Sequence, residues 1–313
     1  MGRTPFVEAD EAPSPLRTRD DRRSAAKACP EGPLASSVPG VTSDLGPPPT
    51  IADVYDEGAA SYTEHWAPAL YRHARDLAAH VPPTPHGQGR TVLDVAAGAG
   101  TLLPALQPLT GHPEDDGLMV ALDYSAGMLA LADPTVPRVQ ADAVALPLRD
   151  GCADVAVYSF VLFLLPDARG AVAEAARVLR SGGWLLAATW GSQLGTGADV
   201  IIGEEVDAAG APPGPELLRS DELTDSPDRM RELLEPAGFT DIITTARPLD
   251  AQFDAASTLA MRTGSGNLGW RFHRLTAAAQ AQVRERASAR LAALGGQEFL
   301  DRSEVQLTSA RRA

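Results

Sequence analysis

The chain has 313 residues, 44% of them hydrophobic, and is long and apolar enough to build one large domain around a core. A formal net charge of -14 argues against a nucleic-acid partner, because affinity for a phosphate backbone depends on clustered Lys and Arg. Two cysteines far apart in sequence, Cys29 and Cys152, predict neither a disulfide framework nor a metal site.

The sequence also predicts no membrane association. No apolar run approaches the roughly 18 residues that a membrane span needs. The N-terminal stretch lacks the apolar segment of a secretory signal. We therefore expect a cytoplasmic protein.

The first part of the chain changes character at about residue 50. Residues 1–49 contain many Pro, Ser, Asp and Arg residues without a sustained helical or strand period, which predicts a disordered tail. From Ile51 to Leu77, apolar and aromatic residues recur at spacings of three, four and seven, which predicts a helix. Two interpretations of these aromatic residues stay open: they pack on the core, or the helix lies across a ligand pocket.

The stretch TVLDVAAGAGT, from Thr91 to Thr101, predicts a buried strand, a tight turn and the start of a helix. Small residues at such a turn let a ligand approach the backbone, and the helix N-terminus offers unpaired N–H donors. A carboxylate beside the turn, Asp94, would repel a phosphate but would accept an ammonium or a hydroxyl group. The stretch therefore favours a nucleoside ligand that carries positive charge.

Apolar strand-like runs then alternate with helical segments. A helix from Asp167 to Leu179 is expected to stop at the pair Gly182 and Gly183. This alternation predicts βαβ units and a mostly parallel sheet with helices on both faces. The first predicted strand of this part contains Val92, Leu93 and Val95, and the following strands are predicted at 118–122, 136–141, 154–159 and 184–190.

The C-terminal third is less regular. Residues 191–225 are rich in Gly and Pro, which predicts an irregular insertion. A strand is predicted at 239–245 from its β-branched residues, and a final strand at 304–310 from its alternating pattern. Between these two strands, residues 250–300 are expected to form a helical insertion.

Four polar residues fall at the carboxyl ends of predicted strands: Asp94, Asp123, Asp142 and Ser159. Ligands of open α/β sheets bind outside the carboxyl ends of the strands. We therefore expect these four side chains to converge on one binding site.

These motifs together resemble the class I S-adenosylmethionine-dependent methyltransferases of the ubiquinone/menaquinone-type group. The resemblance covers residues 51–312 and rests on four motifs in order, which are VLDVAAGAG, ALDYSAGMLALA, QADAVALPLRDGCADV and the segment from SFVLFLLPD to ARVLRSGGWLLAATW. A dinucleotide-binding site is less favoured, because Leu103 replaces the third glycine of that fingerprint.

The resemblance implies a doubly wound, mostly parallel seven-stranded sheet of the Rossmann-like methyltransferase type, with a helical insertion before the last strand. Residues 50–313 would form this domain, with a lid helix at 50–80 and a substrate cap at 250–300. The implied cofactor is S-adenosyl-L-methionine. The cofactor ligands that the resemblance implies are Asp94, Ala96, Gly98, Gly100, Asp123, Tyr124, Met128, Asp142, Ala143, Ser159 and Tyr62.

The family also suggests what each cofactor residue does. Asp94 would lie near the methionine end, and Asp123 would accept hydrogen bonds from both ribose hydroxyls. Asp142 would accept from the adenine amino group while the Ala143 N–H donates to the ring. Tyr124 and Met128 would flank the adenine, although a core role for the methionine is an equally open interpretation.

No general base is assigned. Many relatives place a histidine in the loop after the fourth strand, where this chain has Phe163 and Leu164. His65 and His273 are the remaining candidates. Trp66 is expected to help close the cofactor pocket, while Trp190, Trp270 and Arg262 either line a substrate site or pack in the core.

The predicted function is transfer of a methyl group to an O or N nucleophile of a small, largely apolar or aromatic metabolite. An alternative is a protein that binds the cofactor without transferring methyl, as a partner subunit or as an enzyme of different chemistry. A tRNA or protein substrate is disfavoured by the acidic charge. The sequence leaves the oligomeric state open.

Overall fold

The computed structural model of the chain describes residues 50–193, 195–215 and 221–313. The predicted tail at 1–49 lies outside the described residues, so its disorder stays a prediction. Within the described ranges, none of the helices is long and apolar enough to cross a lipid bilayer.

The described residues form the mixed seven-stranded sheet that the sequence predicted. Its strands, with the chain-order labels used below, are β1 (Thr91–Val95), β2 (Leu118–Asp123), β3 (Arg138–Gln140), β4 (Ala153–Ser159), β5 (Leu179–Trp190), β6 (Phe239–Pro248) and β9 (Glu304–Arg312). Their order across the sheet is β3-β2-β1-β4-β5-β9-β6. The first five strands pair in parallel, and β9 runs antiparallel between β5 and β6.

Helices cover both faces of this sheet. They are α1 (Ile51–Ser61), α2 (Ala67–Ala78), α3 (Leu103–Leu106), α4 (Ala126–Leu131), α5 (Ala168–Val178), α6 (Gly197–Ala208) and α7 (Pro227–Leu234). Successive residues of a strand pack in cores on opposite faces of the sheet, because the side chains of a strand alternate between its two faces. Leu93 packs in a core with α5 and α7, and Val92 packs in a second core with α2 and α3.

The predicted N-terminal helix is interrupted. A π-helical turn at Tyr62–Trp66 separates α1 from α2. Helix α1 begins at a capping box in which the Thr50 hydroxyl accepts from the Asp53 N–H, and the Asp53 carboxylate accepts from the Thr50 N–H. A π-helical turn inside an α-helix is rare and occurs frequently at functional sites. Here it changes which face of the helix the following residues occupy.

Two local predictions were wrong near Gly182. The helix before it ends at Val178, and the chain already pairs as β5 at Leu179, whose side chain is buried. Gly182 and Gly183 therefore lie inside the strand, in a break of register between the Ala153–Leu179 and Val155–Trp184 pairs. Gly182 has a φ of 75°, a conformation that glycine adopts at no steric cost.

The predicted third strand was too long. The structure has β3 only at Arg138–Gln140, with Pro137 before it accepting from the Ala121 N–H. Proline has no N–H to donate to a strand ladder, which shortens the pairing. Asp142 lies after the strand and forms an isolated bridge with Ala145.

The prediction of an irregular insertion at 191–225 was also wrong. The segment contains α6, which a capping box of Thr196 and Asp199 begins. Ala198, Ile202 and Val206 are spaced four residues apart and form its buried face. Because the charged Glu205 is also buried and glycines flank and interrupt the helix, composition conceals the helical period.

The insertion at 250–300 is helical, as predicted. Its helices are α8 (Ala255–Gly264), α9 (Gly266–His273) and α10 (Ala277–Leu291), and two short strands, β7 (Ala251–Gln252) and β8 (Leu300–Asp301), pair at its base. These helices and α6 share a third apolar core, which includes Ile202, Phe272 and Val283. Helix α6 is thus part of the cap-like insertion, although it precedes β6 in sequence.

Candidate functional site

A cavity of about 460 Å³ opens at the carboxyl ends of β1, β2 and β4. The turn after β1 forms its floor, and α1 with the π-helical turn forms one wall. The residues predicted to bind a cofactor that line this cavity are Ala96, Gly98, Asp123, Tyr124, Met128, Asp142, Ala143, Ser159 and Tyr62. Of the four polar residues expected to converge at the strand ends, Asp123, Asp142 and Ser159 line this cavity.

Two of the predicted ligands, Asp94 and Gly100, are not among the lining residues. Asp94 is only 2% exposed, and burial together with the nearby charge of Asp123 raises its pKa to about 7. Gly100 has a φ of 71°, and a Cβ added there would lie 2.8 Å from Leu103 Cδ1.

The turn after β1 lies at the cavity and is fixed by hydrogen bonds of its own N–H groups. Ala96 and Gly98 have φ values of 61° and 57°, so the chain reverses within a few residues. The Ala97 N–H donates to the Leu122 carbonyl at 2.9 Å, which fixes the turn to β2.

Asp123, at the end of β2, holds this turn in place. Its Oδ2 accepts from the Gly98 N–H at 2.7 Å, and its Oδ1 accepts from the Ser125 N–H at 2.8 Å. Burial raises the pKa of Asp123, and backbone hydrogen bonds from Ser125, Gly98 and Tyr124 oppose that rise. A carboxylate has about four lone-pair positions, so the group can still accept a hydrogen bond from a ligand.

Helix α4 positions the next pair of predicted ligands. The Ser125 hydroxyl accepts from the Met128 N–H at 2.9 Å and so caps the helix. Met128 is buried against the turn, since a Cβ at Gly98 would lie 2.9 Å from its Cε. Tyr124 is 56% exposed at the cavity mouth. The methionine is therefore both a cavity wall and a packing residue.

Helix α1 lies across the cavity. Tyr55 and Tyr62 line it, with ring centroids 5.6 Å apart in an edge-to-face arrangement. Burial raises the pKa of Tyr62 far above its ordinary value, so its phenol keeps its proton and can donate a hydrogen bond. Asp56 accepts from the Ser125 hydroxyl and, at 3.2 Å, from the Gly127 N–H, which fastens α1 to α4.

Both interpretations of the N-terminal aromatic residues hold, for different residues. Trp66, the last residue of the π-helical turn, stacks on Phe253 with centroids 5.8 Å apart and packs at 6.1 Å from Trp190. It is not among the cavity-lining residues, unlike Tyr62. The π-helical turn thus begins with a tyrosine that faces the cavity and ends with a tryptophan that packs against other aromatic residues.

Ser159 and Phe160 form the wall opposite the glycine turn. Ser159 is 8% exposed, and within the described residues its buried Oγ has no hydrogen-bond partner. Phe160 has a φ of 59°, which is uncommon for a bulky residue, and its N–H donates to the Ala188 carbonyl at 2.7 Å. An unsatisfied hydroxyl and a strained backbone at one cavity wall both point to a ligand there.

Sequence reasoning missed Phe160 as a site residue. Its ring lies 5.0 Å from that of Trp190 and contributes to the cavity wall. The available signal was its position directly after the polar end of β4, where a strand leaves the sheet.

The two histidine candidates lie away from the cavity. Of the residues described, those lining it include no histidine. His65 lies in the π-helical turn with its Nε2 4.0 Å from a Glu64 carboxylate oxygen, and His273 is exposed at the end of α9. The structure therefore brings neither candidate base to the site.

The other predicted substrate-site residues also lie outside the cavity lining. Arg262 forms a two-point ion pair with Asp199 at 2.6 and 2.8 Å and lies 5.5 Å from the centroid of the Trp66 ring. Trp270 is buried, and the Arg274 guanidinium lies 3.7 Å from its ring centroid. These contacts give the side chains a packing role between the cap helices and the domain.

Comparison with known proteins agrees with this geometry. Residues 93–187 match the family model described as a methyltransferase domain. Demethylmenaquinone methyltransferase of Renibacterium salmoninarum is 40% identical over 104 residues, which cover 32% of this chain and 41% of that protein. The same enzyme of Mycolicibacterium paratuberculosis is 40% identical over 101 residues, with the same two coverages. The chain thus spans about two fifths of the length of these curated relatives.

Solved structures extend the likeness to the whole fold. The YcgJ protein of Bacillus subtilis has a TM-score of 0.50 at 19% identity, covering 77% of this chain and 98% of that one. The [4+2]-cyclase SpnF also has a TM-score of 0.50 at 19% identity, covering 85% of this chain and 98% of that one. At such identities the likeness shows the fold alone.

The family match begins in β1 and ends in β5, and so spans the glycine turn and the strand ends that form the cavity. Its position, the curated relatives and the strand order agree with one another. Residues 93–187 of this chain match a methyltransferase domain, and the described residues have the Rossmann-like fold of the class I S-adenosylmethionine-dependent methyltransferases.

Proposed function

We propose that this protein transfers a methyl group from S-adenosyl-L-methionine to an O or N nucleophile of a small, largely apolar or aromatic metabolite, by in-line displacement. The observation that carries the proposal is the hydrogen bonding of Asp123, which joins the end of β2 to the glycine turn after β1 at the cavity floor. This places a carboxylate that can still accept a hydrogen bond at the floor of the cavity.

The lining residues fit a charged nucleoside. Asp123 would hold the ribose hydroxyls, and Asp142, whose Oδ1 accepts from the Val144 N–H at 3.0 Å, would accept from the adenine amino group. The buried Ser159 hydroxyl has no partner among the described residues and is available to a polar ligand atom. The carboxyl groups also favour a ligand of positive charge, whereas a pyrophosphate would be repelled.

The acceptor side of the cavity supports an apolar substrate. The wall from Phe160 through Val161 to the segment 164–166 consists of aromatic, aliphatic and proline side chains. Apolar surface of this kind favours a ligand with an apolar ring or chain. The curated relatives are named for demethylmenaquinone, and a substrate of similar apolar character would suit this wall.

The cofactor, when bound, supplies a methyl group on a positively charged sulfonium, which is a good leaving group. The protein then contributes mainly by holding the two reactants in line, and such orientation is worth up to about 7 to 11 kcal/mol. Tyr62 keeps its phenolic proton and so serves as a hydrogen-bond donor in the cavity wall. An acceptor that is acidic enough to ionise without help matches a cavity that no histidine lines within the described residues.

Two measurements test this proposal. Titration calorimetry with S-adenosyl-L-methionine is expected to show binding to the purified protein. Mass spectrometry of metabolite extracts incubated with the protein and a methyl-deuterated cofactor is expected to show a compound heavier by the labelled methyl group. A protein that binds no cofactor would contradict the proposal at its first step.

A second function keeps the fold and the cofactor site but not methyl transfer. The [4+2]-cyclase SpnF has this fold, and no titratable histidine lines the cavity within the described part of this chain. Under this alternative the cofactor would bind, yet no S-adenosylhomocysteine would form with any acceptor fraction. Chromatographic assay of S-adenosylhomocysteine therefore separates the two functions.

A further inference from the structure

Two loops at the opposite edge of the sheet from the cavity bring together His86, His112 and Glu114. The loops precede β1 and β2, which are parallel neighbours that pair from Thr91 and Leu118 onward. The segments before such strands must lie at the same edge of the sheet. From each of the three side chains one potential ligand atom lies within 4.8 Å of the other two.

We propose that His86, His112 and Glu114 bind one divalent transition-metal ion of the zinc type. Imidazole nitrogen and carboxylate oxygen are ligands that Zn²⁺ takes at about 2.0–2.2 Å, and two His with one Glu is an established ligand set. Imidazole ligands favour zinc and its neighbours in the first transition row, whereas Mg²⁺ and Ca²⁺ prefer oxygen ligands alone.

The two imidazole rings lie close together. They stack with centroids 3.4 Å apart and planes inclined by 13°. Because an imidazole lone pair lies in the plane of its ring, the rings rotate out of this stack when both nitrogens bind one ion at about 2.05 Å. The Nδ1 of His86 lies 3.7 Å from Glu114 Oε1, so the carboxylate is already near the pair.

The backbone of both loops is held in place around the cluster. Asp115 Oδ1 accepts from the Gly87 N–H at 2.9 Å, and its Oδ2 accepts from the His112 N–H at 3.2 Å. The Asp115 carboxylate therefore links Gly87, which follows His86 in the chain, to His112. The His86 and Glu114 side chains are 76% and 66% exposed, so rotation about their side-chain bonds can bring the ligand atoms onto an ion.

An ion at this position would join the two loops that lead into the central strands. It would bind only the folded chain, since His86 and His112 are brought together by the pairing of β1 with β2. Binding restricted to the folded state raises stability in proportion to the logarithm of metal concentration. The site is distant from the cavity, so the inference stands whether or not the protein transfers methyl groups.

The test uses the full chain, purified without a histidine tag, equilibrated with ZnCl₂ and freed of unbound metal by gel filtration. Mass spectrometry of the bound metal is expected to give about one zinc per chain. The midpoint of thermal unfolding is expected to rise by about 5 °C or more at a zinc concentration of about 100 times Kd. MgCl₂ at the same concentration is expected to leave no magnesium bound after gel filtration and to leave the midpoint of thermal unfolding unchanged.

Variants separate this cluster from other zinc ligands, including the two cysteines. The double variant His86→Ala/His112→Ala is expected to lose the bound zinc and the thermal shift. Asp115→Asn keeps all three ligands and is expected to weaken zinc binding by about 10- to 100-fold, since it loosens the backbone that positions them. Asp116→Asn removes an exposed carboxylate from the same loop and is the matched control that should bind zinc as the natural chain does.

The outcomes are decisive. A natural chain that retains no zinc would overturn the proposal. So would a double variant that retains as much zinc as the natural chain, because the ion would then lie elsewhere. Circular dichroism of each variant in the absence of metal establishes that a lost signal does not come from unfolding.

Discussion

The backbone N–H of Gly98 donates to Asp123 Oδ2 at 2.7 Å, and this contact joins the turn after one strand to the end of the next. The two residues are 25 positions apart in sequence. Because the carboxylate is also held by the Ser125 N–H at 2.8 Å, its orientation is set before any ligand binds. Such preorganisation reduces the entropy that binding must offset.

Replacement of Asp123 is expected to abolish most cofactor binding. A hydrogen bond to a charged group contributes about 1.5–3 kcal/mol, so loss of one bond to the ribose weakens binding by about 10- to 100-fold. Calorimetry of Asp123→Ala with S-adenosyl-L-methionine measures the loss. Asp123→Asn keeps an acceptor for the turn and covers the case in which the alanine variant is unstable. Undiminished affinity in both would exclude Asp123 from the site.

A side chain at Gly98 is expected to affect both stability and binding. Alanine in the left-handed conformation costs about 1–2 kcal/mol, and its Cβ would press on the Met128 Cε at the cavity wall. Gly98→Ala should therefore lower the free energy of unfolding in urea and weaken cofactor binding. Gly210→Ala is the control, since Gly210 has a φ of 77° with nothing within 4 Å of the added Cβ. Equal binding losses in the two variants would contradict this account.

Removing the Ser159 hydroxyl is expected to weaken cofactor binding without lowering the stability of the fold. The Oγ is buried without a partner among the described residues, so Ser159→Ala should leave the free energy of unfolding unchanged or raise it by about 1 kcal/mol. Cofactor affinity should fall by about 10-fold if the hydroxyl contacts the ligand. The buried Thr245 Oγ, likewise unsatisfied, lies outside the cavity, and Thr245→Val should leave affinity unchanged. A stability loss in Ser159→Ala with normal affinity would refute the assignment.

Asp94 is expected to make stability depend on pH. Its pKa is about 7 in the folded chain, because of burial and the charge of Asp123, and about 3.9 when unfolded. Between these values the folded chain holds a proton that the unfolded chain has lost, so the free energy of unfolding falls as pH rises. The contribution is at most about 4 kcal/mol and is complete above the folded pKa.

The measurement compares the natural chain with Asp94→Asn in urea at several pH values between about 5 and 8. Asparagine does not titrate, so the variant should become progressively more stable relative to the natural chain up to about pH 7. Groups that titrate in both chains cancel in this difference. A difference that stays constant across the range would show that Asp94 is ionised throughout.

Much of the fold follows from local sequence. The runs that become β1, β2 and β4 are short and apolar, and residues such as Asp123 and Ser159 mark where each strand leaves the sheet. These patterns depend only on residues that are adjacent in the chain, so they can be recognised without a structure. Helix α6 was missed because its apolar face, represented by Ile202, is defined by the insertion it packs against rather than by its own composition.

The sequence predicted only part of the candidate site. Asp94 and Asp123 have the same sequence context, a carboxylate ending an apolar run, yet one is buried behind the turn and the other lines the cavity. Which way a strand residue faces depends on its position in the pleat and on what covers that face. A residue one position further along the strand has its side chain on the opposite face of the sheet.

By itself, the sequence determined the order of the main strands and the glycine turn, because each depends on residues adjacent in the chain. Only the tertiary structure decided that Tyr62 faces the cavity while Trp66 packs in the core, and that His86 meets His112. The physical reason is that these contacts join segments distant in sequence. Sheet pairing and helix packing bring them together, and no local pattern records them.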